Sequence, residues 1–484
     1  MPDVHSGILR SVMRQPSLPN SFREYRKRSK RAAKAVDLEM AKSRYREIAE
    51  IGIPAVLESL VAVIITSIDT KMISGLGPQA LSAVSFTSQP KQIFFSVFFA
   101  LGTTVSIYTA QALGREDAKE VNVYFHSILR MTVLLSLILG IGAAVFAQPI
   151  MMLCNRQADT LALSVRFFRV IMGFSVFHAI SIVLNAALRG IGNTKVTLIA
   201  AIANGAVDIV VNYLLIEGHC GFPRLEIVGD AIGTVAGTVA ACGVSLFFIL
   251  RHSDFLTLKG VLSVKKDPAV AKNIRGKAGN TVSENILTRL GFLISSIIVS
   301  GLSSDVTAVY AVTMILLNYS FAFGDGLQTA ASSLIGRSKG AGHYGEIKKY
   351  LRSCLLTGVI VSAVLSVIYI LGSSWFFGLY FSDANSIGQG IKYSYIAALL
   401  TFLQILRIIM VGSMRGMGEV KIPRKMATLC VLIINPGVSF LLTQVVHFGI
   451  WGIWIGSVVS QAVWFVMSCI YTRRVNAVEN GAAR

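Results

Sequence analysis

The residues best placed to do chemistry are carboxylates set inside apolar sequence. Asp208 lies in the stretch IAAIANGAVDIVVNYLLI, with Asn204 four residues before it and Asn212 four residues after. On a helix this spacing puts the three side chains on one face, where a carboxylate between two amides can hold a proton or a dehydrated cation. Asp69 ends a second apolar run, VIITSIDTKM. The 13 residues from Lys195 to Asp208 span about 20 Å of helix, which brings Asp208 to the depth of Asp69. Should the two meet, mutual repulsion and lost hydration favour a proton or cation held between them. An ion-coupling site needs that behaviour.

Other polar residues in apolar sequence are weaker candidates. Glu58 stands eleven residues before Asp69, three helical turns away and on the same face. Its counterpart Glu284 in the second half of the chain makes packing the plainer role for both. His178 and Gln404 are a similar pair. An unperturbed histidine titrates near neutrality, and polar packing is the alternative. Arg289, Asp325 and Arg407 are charges inside apolar stretches of the second half. An arginine is the expected partner of Asp325, because unpaired charges at membrane depth are costly. No G-x-x-x-x-G-K-[ST], HExxH or GxSxG occurs, and His and Cys show no metal-ligand spacing, so direct use of ATP, hydrolase chemistry and a zinc site are not expected. An ion gradient remains as the energy source, with no cofactor beyond H⁺ or Na⁺.

The elements that position these residues are membrane spans. Of 484 residues 54% are hydrophobic and only 14% charged, too little charge to cover a water-facing surface of that size. Apolar runs of about 20 residues, enough to cross a ~30 Å hydrocarbon core, fall at 50–70, 80–112, 127–149, 163–187, 196–217, 228–250, 280–302, 306–334, 350–373, 390–412, 426–446 and 449–471. The second and eighth are long enough to tilt or bend, and Pro90 is expected to kink the second. The net charge of +20 is concentrated between spans, which argues against a nucleic-acid partner. Alternate connecting segments hold 35 of the 45 Lys and Arg residues, and by the positive-inside rule both termini are cytoplasmic. The basic tail, SFREYRKRSKRAAK at 21–34, is a solvated topology determinant or a contact for anionic membrane lipids.

The chain repeats itself at one fixed offset, without gaps. Glu58 aligns with Glu284, Ser74-Gly75-Leu76 with Ser300-Gly301-Leu302, Gly114 with Gly340, and LRGIGNTK at 188–195 with MRGMGEVK at 414–421. Six spans per copy leave both copies facing the same way. The expected fold is an all-α integral membrane protein, twelve transmembrane helices in two pseudo-symmetric six-helix bundles with a central cleft. Its divisions are a basic tail at 1–46, an N-lobe at 47–250, a linker at 251–279, a C-lobe at 280–472 and a tail at 473–484. Gly229, Gly233 and Gly237 form a small-residue ridge on the sixth span for close helix packing. Phe and Met in the C-lobe could line an apolar cavity. Asn435-Pro436 has no evident role.

SIDTKMISGLGPQALSAVS, SIYTAQALGREDAKEV, ALRGIGNTKVTLIAAIANGAVDIVVNYLLI and SMRGMGEVKIP, set among twelve spans in two repeats, together resemble the multidrug and toxic compound extrusion (MATE) family, from about residue 45 to 472. The resemblance implies a V-shaped secondary transporter that expels organic cations, drugs or metabolites in exchange for protons or sodium ions. It also implies that Asp69, Asn204 and Asp208 match the family's N-lobe cation site, with Thr234 a looser match on the sixth span. The NorM-like branch adds a glutamate in the seventh span. Here that neighbourhood reads NILTRLGF, with Thr288 and Arg289, so the chain looks closer to the DinF-like branch. The resulting expectation is a monomeric antiporter of a prokaryotic inner membrane, acting on a cationic or amphipathic small molecule. The alternative is a lipid-linked precursor flippase of the same superfamily.

Overall fold

The computed structural model describes residues 22–482 except 155–157, 253–254, 262–266 and 303. Residues 1–21 and the side chains of 22–38 lie outside the described set, and with them the lipid contact expected of the basic tail. No strand occurs among the described residues. The helices run α1 (Phe22–Ser74), α2 (Pro78–Gly114), α3 (Ala118–Val145), α4 (Ala147–Cys154), α5 (Ala158–Gly173), α6 (Ser175–Gly190), α7 (Thr194–Ile216), α8 (Ile227–His252), α9 (Pro268–Ser300), α10 (Ser304–Gly340), α11 (Tyr344–Leu371), α12 (Ser373–Gly378), α13 (Ala384–Gly416), α14 (Lys421–Met426), α15 (Asn435–Phe440) and α16 (Ile450–Ala482). Among the described residues eleven helical stretches are long and apolar enough to cross a membrane, and the bent pair α5–α6 makes a twelfth.

Two compact units result, Met1–Glu50 and Ile51–Arg484. In the first, Arg46 pairs with Glu50 one turn on, at 2.8 Å and well exposed, so the pair adds little stability. The second unit holds both halves of the repeat, and its contacts carry the two-fold relation. A Cβ on Gly114 would overlap the Arg337 carbonyl, while one on Gly340 would overlap the carbonyl of Gln111. Gly114 and Gly340 are equivalent positions of the repeat, and so are Gln111 and Arg337. The last turns of α2 and α10 therefore cross face to face on the pseudo-two-fold axis, with glycine on both sides of the crossing.

The repeated R-G-x-G turns end α6 and α13 in the same way. Gly192 (φ +83°) and Gly418 (φ +81°) take the left-handed conformation. The Asn193 and Glu419 amides reach back to the Leu188 and Met414 carbonyls, both at 2.9 Å. This is the Schellman closure, in which glycine relieves the strain on a side chain. Each turn is then held by the opposite half. Gln111 Nε2 donates to the Gly416 carbonyl at 2.9 Å, and Ser333 Oγ donates to the Gly190 carbonyl at 3.1 Å.

Three local features depart from, or add to, the sequence reading. Pro90 sits inside one continuous helix, Pro78–Gly114. A separate bend of 51° lies between α5 and α6, where Gly140 of α3 leaves room for the Ser175 hydroxyl and the Met172 carbonyl. The eleventh span is π-helical over Ala427–Ile434 and Leu441–Val445, on either side of the short α15. Asn435-Pro436 begins α15, where the proline needs no N–H, and Asn435 Oδ1 accepts from Ser439 and Ser457 at 3.4 Å each. The segment joining the halves is anchored. Asn122 of α3 binds the Phe255 carbonyl and the Thr257 amide at 3.0 and 2.8 Å, and Asp267 caps α9 through the Ala269 amide at 2.8 Å.

Candidate ion-coupling site

The site is built on the packing of α7 against α8, which the glycine ridge makes possible. A Cβ on Gly229 would meet the Leu215 carbonyl oxygen at 2.8 Å, and one on Gly237 would meet Asn204 Oδ1 at 2.5 Å and Asp208 Cβ at 2.9 Å. At Gly233 it would overlap the Asn212 amide oxygen. The backbones are therefore close enough for α7 side chains to lie flat on α8, as the small-residue spacing predicts. On the other side of α7, Gly205 leaves room for Ile65 of α1.

In this packing Asn212 Nδ2 faces three carboxylates from three helices. It donates to Asp69 Oδ1 of α1 at 3.3 Å, Asp208 Oδ1 of α7 at 3.1 Å and Asp230 Oδ1 of α8 at 3.3 Å. The amide has two hydrogens for three acceptors, so at least one bond is shared. Asn212 is fully buried, Asp208 is 4% exposed and Asp230 3%, while Asp69 is half-buried. Lys91 of α2 lies within electrostatic reach of all three acids and makes no hydrogen bond or ion pair among the described residues. Three carboxylates, two of them buried, converging on one neutral amide repel one another, so the cluster favours protons or cations bound among them. Among the described residues no group of three His, Cys, Asp or Glu side chains is arranged to hold a metal ion.

The sequence candidates divide accordingly. Asp69, Asp208 and Asn212 come together. Asn204 and Thr234 are half-buried one turn away on α7 and α8, and their side chains make no hydrogen bond among the described residues. Asp230 is the addition. It falls in the first turn of α8, where an acid ordinarily complements the helix dipole, and so its sequence position did not single it out. The small-residue ridge was the available signal, since a carboxylate on a ridge meant for close packing has to face the neighbouring helix.

The remaining polar pairs make local contacts away from this cluster. Glu58 Oε1 pairs with Arg189 Nη1 at 2.9 Å, and its Oε2 accepts from the Thr197 hydroxyl at 2.6 Å. Glu284 Oε1 pairs with Arg415 Nη2 at 3.0 Å. The two acid–arginine pairs occupy equivalent positions of the repeat, so a single ion pair has been duplicated to brace the R-G-x-G turn in each half. His178 stacks on Phe95 with centroids 4.4 Å apart, and Gln404 Nε2 donates to the Leu317 carbonyl at 3.4 Å. The arginine expected beside Asp325 is not its partner. Ser59 and Gln328 donate to that carboxylate instead, each at 3.3 Å, so neutral donors replace the counter-charge. The C-half also holds an apolar cavity of about 620 Å³ between α9 and the π-helical span, lined by Ile294, Leu432, Pro436, Phe440 and other residues rather than by Met.

Comparison with known proteins agrees with this architecture. The MatE family model matches twice, over residues 54–214 and 281–441, and the two matches fall on the two copies of the internal repeat. The probable multidrug resistance protein NorM of Thermotoga maritima is 22% identical over 85% of this chain and 89% of its own length. The probable multidrug resistance protein YoeA of Bacillus subtilis is 25% identical over 80% and 84%. A solved structure described as MATE in the bent conformation superposes with a TM-score of 0.83 at 16% identity, over 91% of this chain and 97% of that one. The chain belongs to the MatE family, a family of multi-span membrane transporters rather than enzymes.

Proposed function

We propose that this protein is a secondary antiporter that exports small organic molecules in exchange for protons or sodium ions, with coupling at Asp69, Asp208 and Asp230 around Asn212. The convergence of three carboxylates from α1, α7 and α8 on one buried amide is the observation that carries this reading. Binding a proton or Na⁺ there relieves repulsion among the acids and changes what holds α1 to the α7–α8 pair. An ion gradient can then shift the balance between outward-open and inward-open states, provided the ion binds one state better than the other. The C-half carries Ser295, Ile434 and Ile453 where repeat alignment puts the three acids, the last spans being aligned through Gly229–Gly452 and Gly233–Gly456. This supports coupling in the N-half, the arrangement that the resemblance to the DinF-like branch implies. The Lys and Arg distribution supports cytoplasmic termini, and two covalently joined halves make a monomer sufficient.

The test is solute uptake into proteoliposomes under an imposed pH or Na⁺ gradient, for wild type, Asp208→Asn and Asp230→Asn. Gradient-driven uptake in the wild type that both variants lose supports the reading and names the ion. Uptake by Asp208→Asn at the wild-type rate refutes it.

A further inference from the structure

The repeat allows one half of the molecule to be subtracted from the other. The shared scaffold, Glu58 with Arg189 and Glu284 with Arg415, is neutral in each half. Beyond it the N-half carries three acids and Lys91. The C-half carries Asp325, where the N-half has Phe99, bonded to Ser59 and Gln328, and Arg407, where the N-half has Ser181, stacked on Trp464, where the N-half has Ala241.

Arg407 sits nine residues before the end of α13, about 14 Å along the helix. Its guanidinium lies 4.5 Å from the Trp464 ring centroid. Its Nε is buried without a partner, and no hydrogen bond or ion pair involves Arg407 among the described residues. The surroundings do not neutralise it. Glu284, the carboxylate within electrostatic reach, is already paired with Arg415. One of its oxygens, Oε2, is unpartnered, because Pro423 stands at the position corresponding to Thr197. The cluster of Arg407, Arg415 and Glu284 therefore carries one positive charge in excess, together with unpartnered donors at Arg407 Nε, Arg415 Nε and Trp464 Nε1. A second C-half cation, Arg289, has the neutral Gln92 amide, at 3.3 Å, as its hydrogen-bond partner among the described residues.

We infer that the C-half contains an anion-binding site in which Arg407, backed by Trp464, takes the carboxylate or phosphate group of a bound molecule. The reasons are physical. An excess guanidinium charge at membrane depth is costly alone, and its planar fork matches a carboxylate or phosphate in a bidentate manner. The aromatic face behind it fixes the fork's orientation. This deepens the antiporter reading on which it rests by naming the substrate class, an anionic or zwitterionic solute. It applies equally to the phosphate of a lipid headgroup, which is the same chemistry from a second source.

The site is tested at equilibrium, without a gradient, so that its failure is separate from failure of ion coupling. The full chain is placed in phosphatidylcholine nanodiscs and titrated with phenyl phosphate, tryptophan fluorescence being the readout. Phenol serves as the neutral isostere, and Arg407→Gln and Arg407→Lys as variants. The expected result is saturable binding of phenyl phosphate by the wild type, at least about tenfold tighter than phenol and at least about tenfold weaker in Arg407→Gln. Arg407→Lys keeps the charge, loses the fork and falls between. A parallel sample doped with phosphatidylglycerol identifies the source. Loss of phenyl phosphate binding there, relative to phosphatidylcholine alone, assigns the site to a lipid headgroup, and unchanged binding assigns it to a free solute. Phenol binding as tightly as phenyl phosphate, or no saturable binding by the wild type, overturns the inference. The comparison with phenol uses the wild type alone and stands even if Arg407→Gln does not fold.

Discussion

Replacing Gly233 by alanine tests whether the ion site depends on backbone contact between α7 and α8. The added Cβ would overlap Asn212 Oδ1, and would lie 2.7 Å from Asn212 Cγ and 3.2 Å from its backbone nitrogen. Either α8 withdraws or the Asn212 side chain turns away from the carboxylates. Overpacking of this kind costs about 1–3 kcal/mol. Losing even one amide-to-carboxylate bond adds about 1.5–3 kcal/mol, while alanine's higher helix propensity returns about 1 kcal/mol. The net loss is roughly 1.5–5 kcal/mol. Gly243 supplies the control on the same helix. It is exposed, and a Cβ there meets nothing within 4 Å, so Gly243→Ala gains the propensity without the overlap. Heat inactivation of the purified protein, followed as the fraction remaining monodisperse, ranks the two. Because irreversible loss of this kind reports a rate, the ranking is the relevant result. Gly233→Ala is expected to fail at clearly lower temperature than wild type and to lose gradient-driven uptake, with Gly243→Ala at or above wild type. Indistinguishable variants would refute the claim that close packing presents Asn212 to the three acids.

Three further outcomes follow from particular contacts. Gln111→Leu combined with Ser333→Ala removes both cross-half bonds to the R-G-x-G turns, so hydrogen exchange at residues 189–195 and 415–421 is expected to rise while exchange in α11 does not. Pro423→Thr restores to Glu284 Oε2 the hydroxyl that Thr197 gives Glu58, and is expected to raise heat resistance by the worth of one hydrogen bond, about 1 kcal/mol. A drop would show that Pro423 is required for the start of the π-helical span. Asp383, ahead of α13, caps it through the Ser386 amide at 2.7 Å, and hydrogen bonding from Ser386 holds its carboxyl below the usual value of 3.8. A depressed carboxyl contributes stability above its unfolded value and loses it as pH falls through the folded one. The stability gap between wild type and Asp383→Ala is therefore expected at pH 7 and should close in strong acid. A gap that persists there would assign the effect to something other than the charge.

Much of the architecture was legible in sequence because hydrophobic length and the internal repeat are long-range signals that no single residue can hide. The repeat also singled out Glu58 and Glu284 as equivalent positions, although it could not name their arginines. Those arginines lie in the same repeated turns, 131 residues after their acids, and only folding brings them together. Asp69, Asp208 and Asn212 were legible through depth and helical face. Asp230 was not, because a first-turn acid has an adequate local explanation in the helix dipole. Asp325 misled for a related reason. The rule that buried charge needs a partner says nothing about whether that partner is an arginine or, as here, a hydroxyl and an amide. The bend between α5 and α6 falls at Gly173 and Ser175, a Gly/Ser pair of the kind that kinks helices, inside an apolar run whose hydropathy reads as one span.

Where the two copies agree, they mark what any such bundle needs: glycine at the α2–α10 crossing, left-handed glycine at the turns, and an acid–arginine brace behind each turn. None of these differs between the halves, so none can give the two halves different tasks. A division of labour between ion and solute needs elements that are not repeated. The acids around Asn212 have Ser295, Ile434 and Ile453 in their places, and Arg407 has Ser181. A coupling ion acting on the acids therefore biases one half alone, while the opposite charge in the other half remains available to a solute. If both sites had been duplicated, each half would carry an ion site and a solute site, and binding of either ligand would bias the two halves alike.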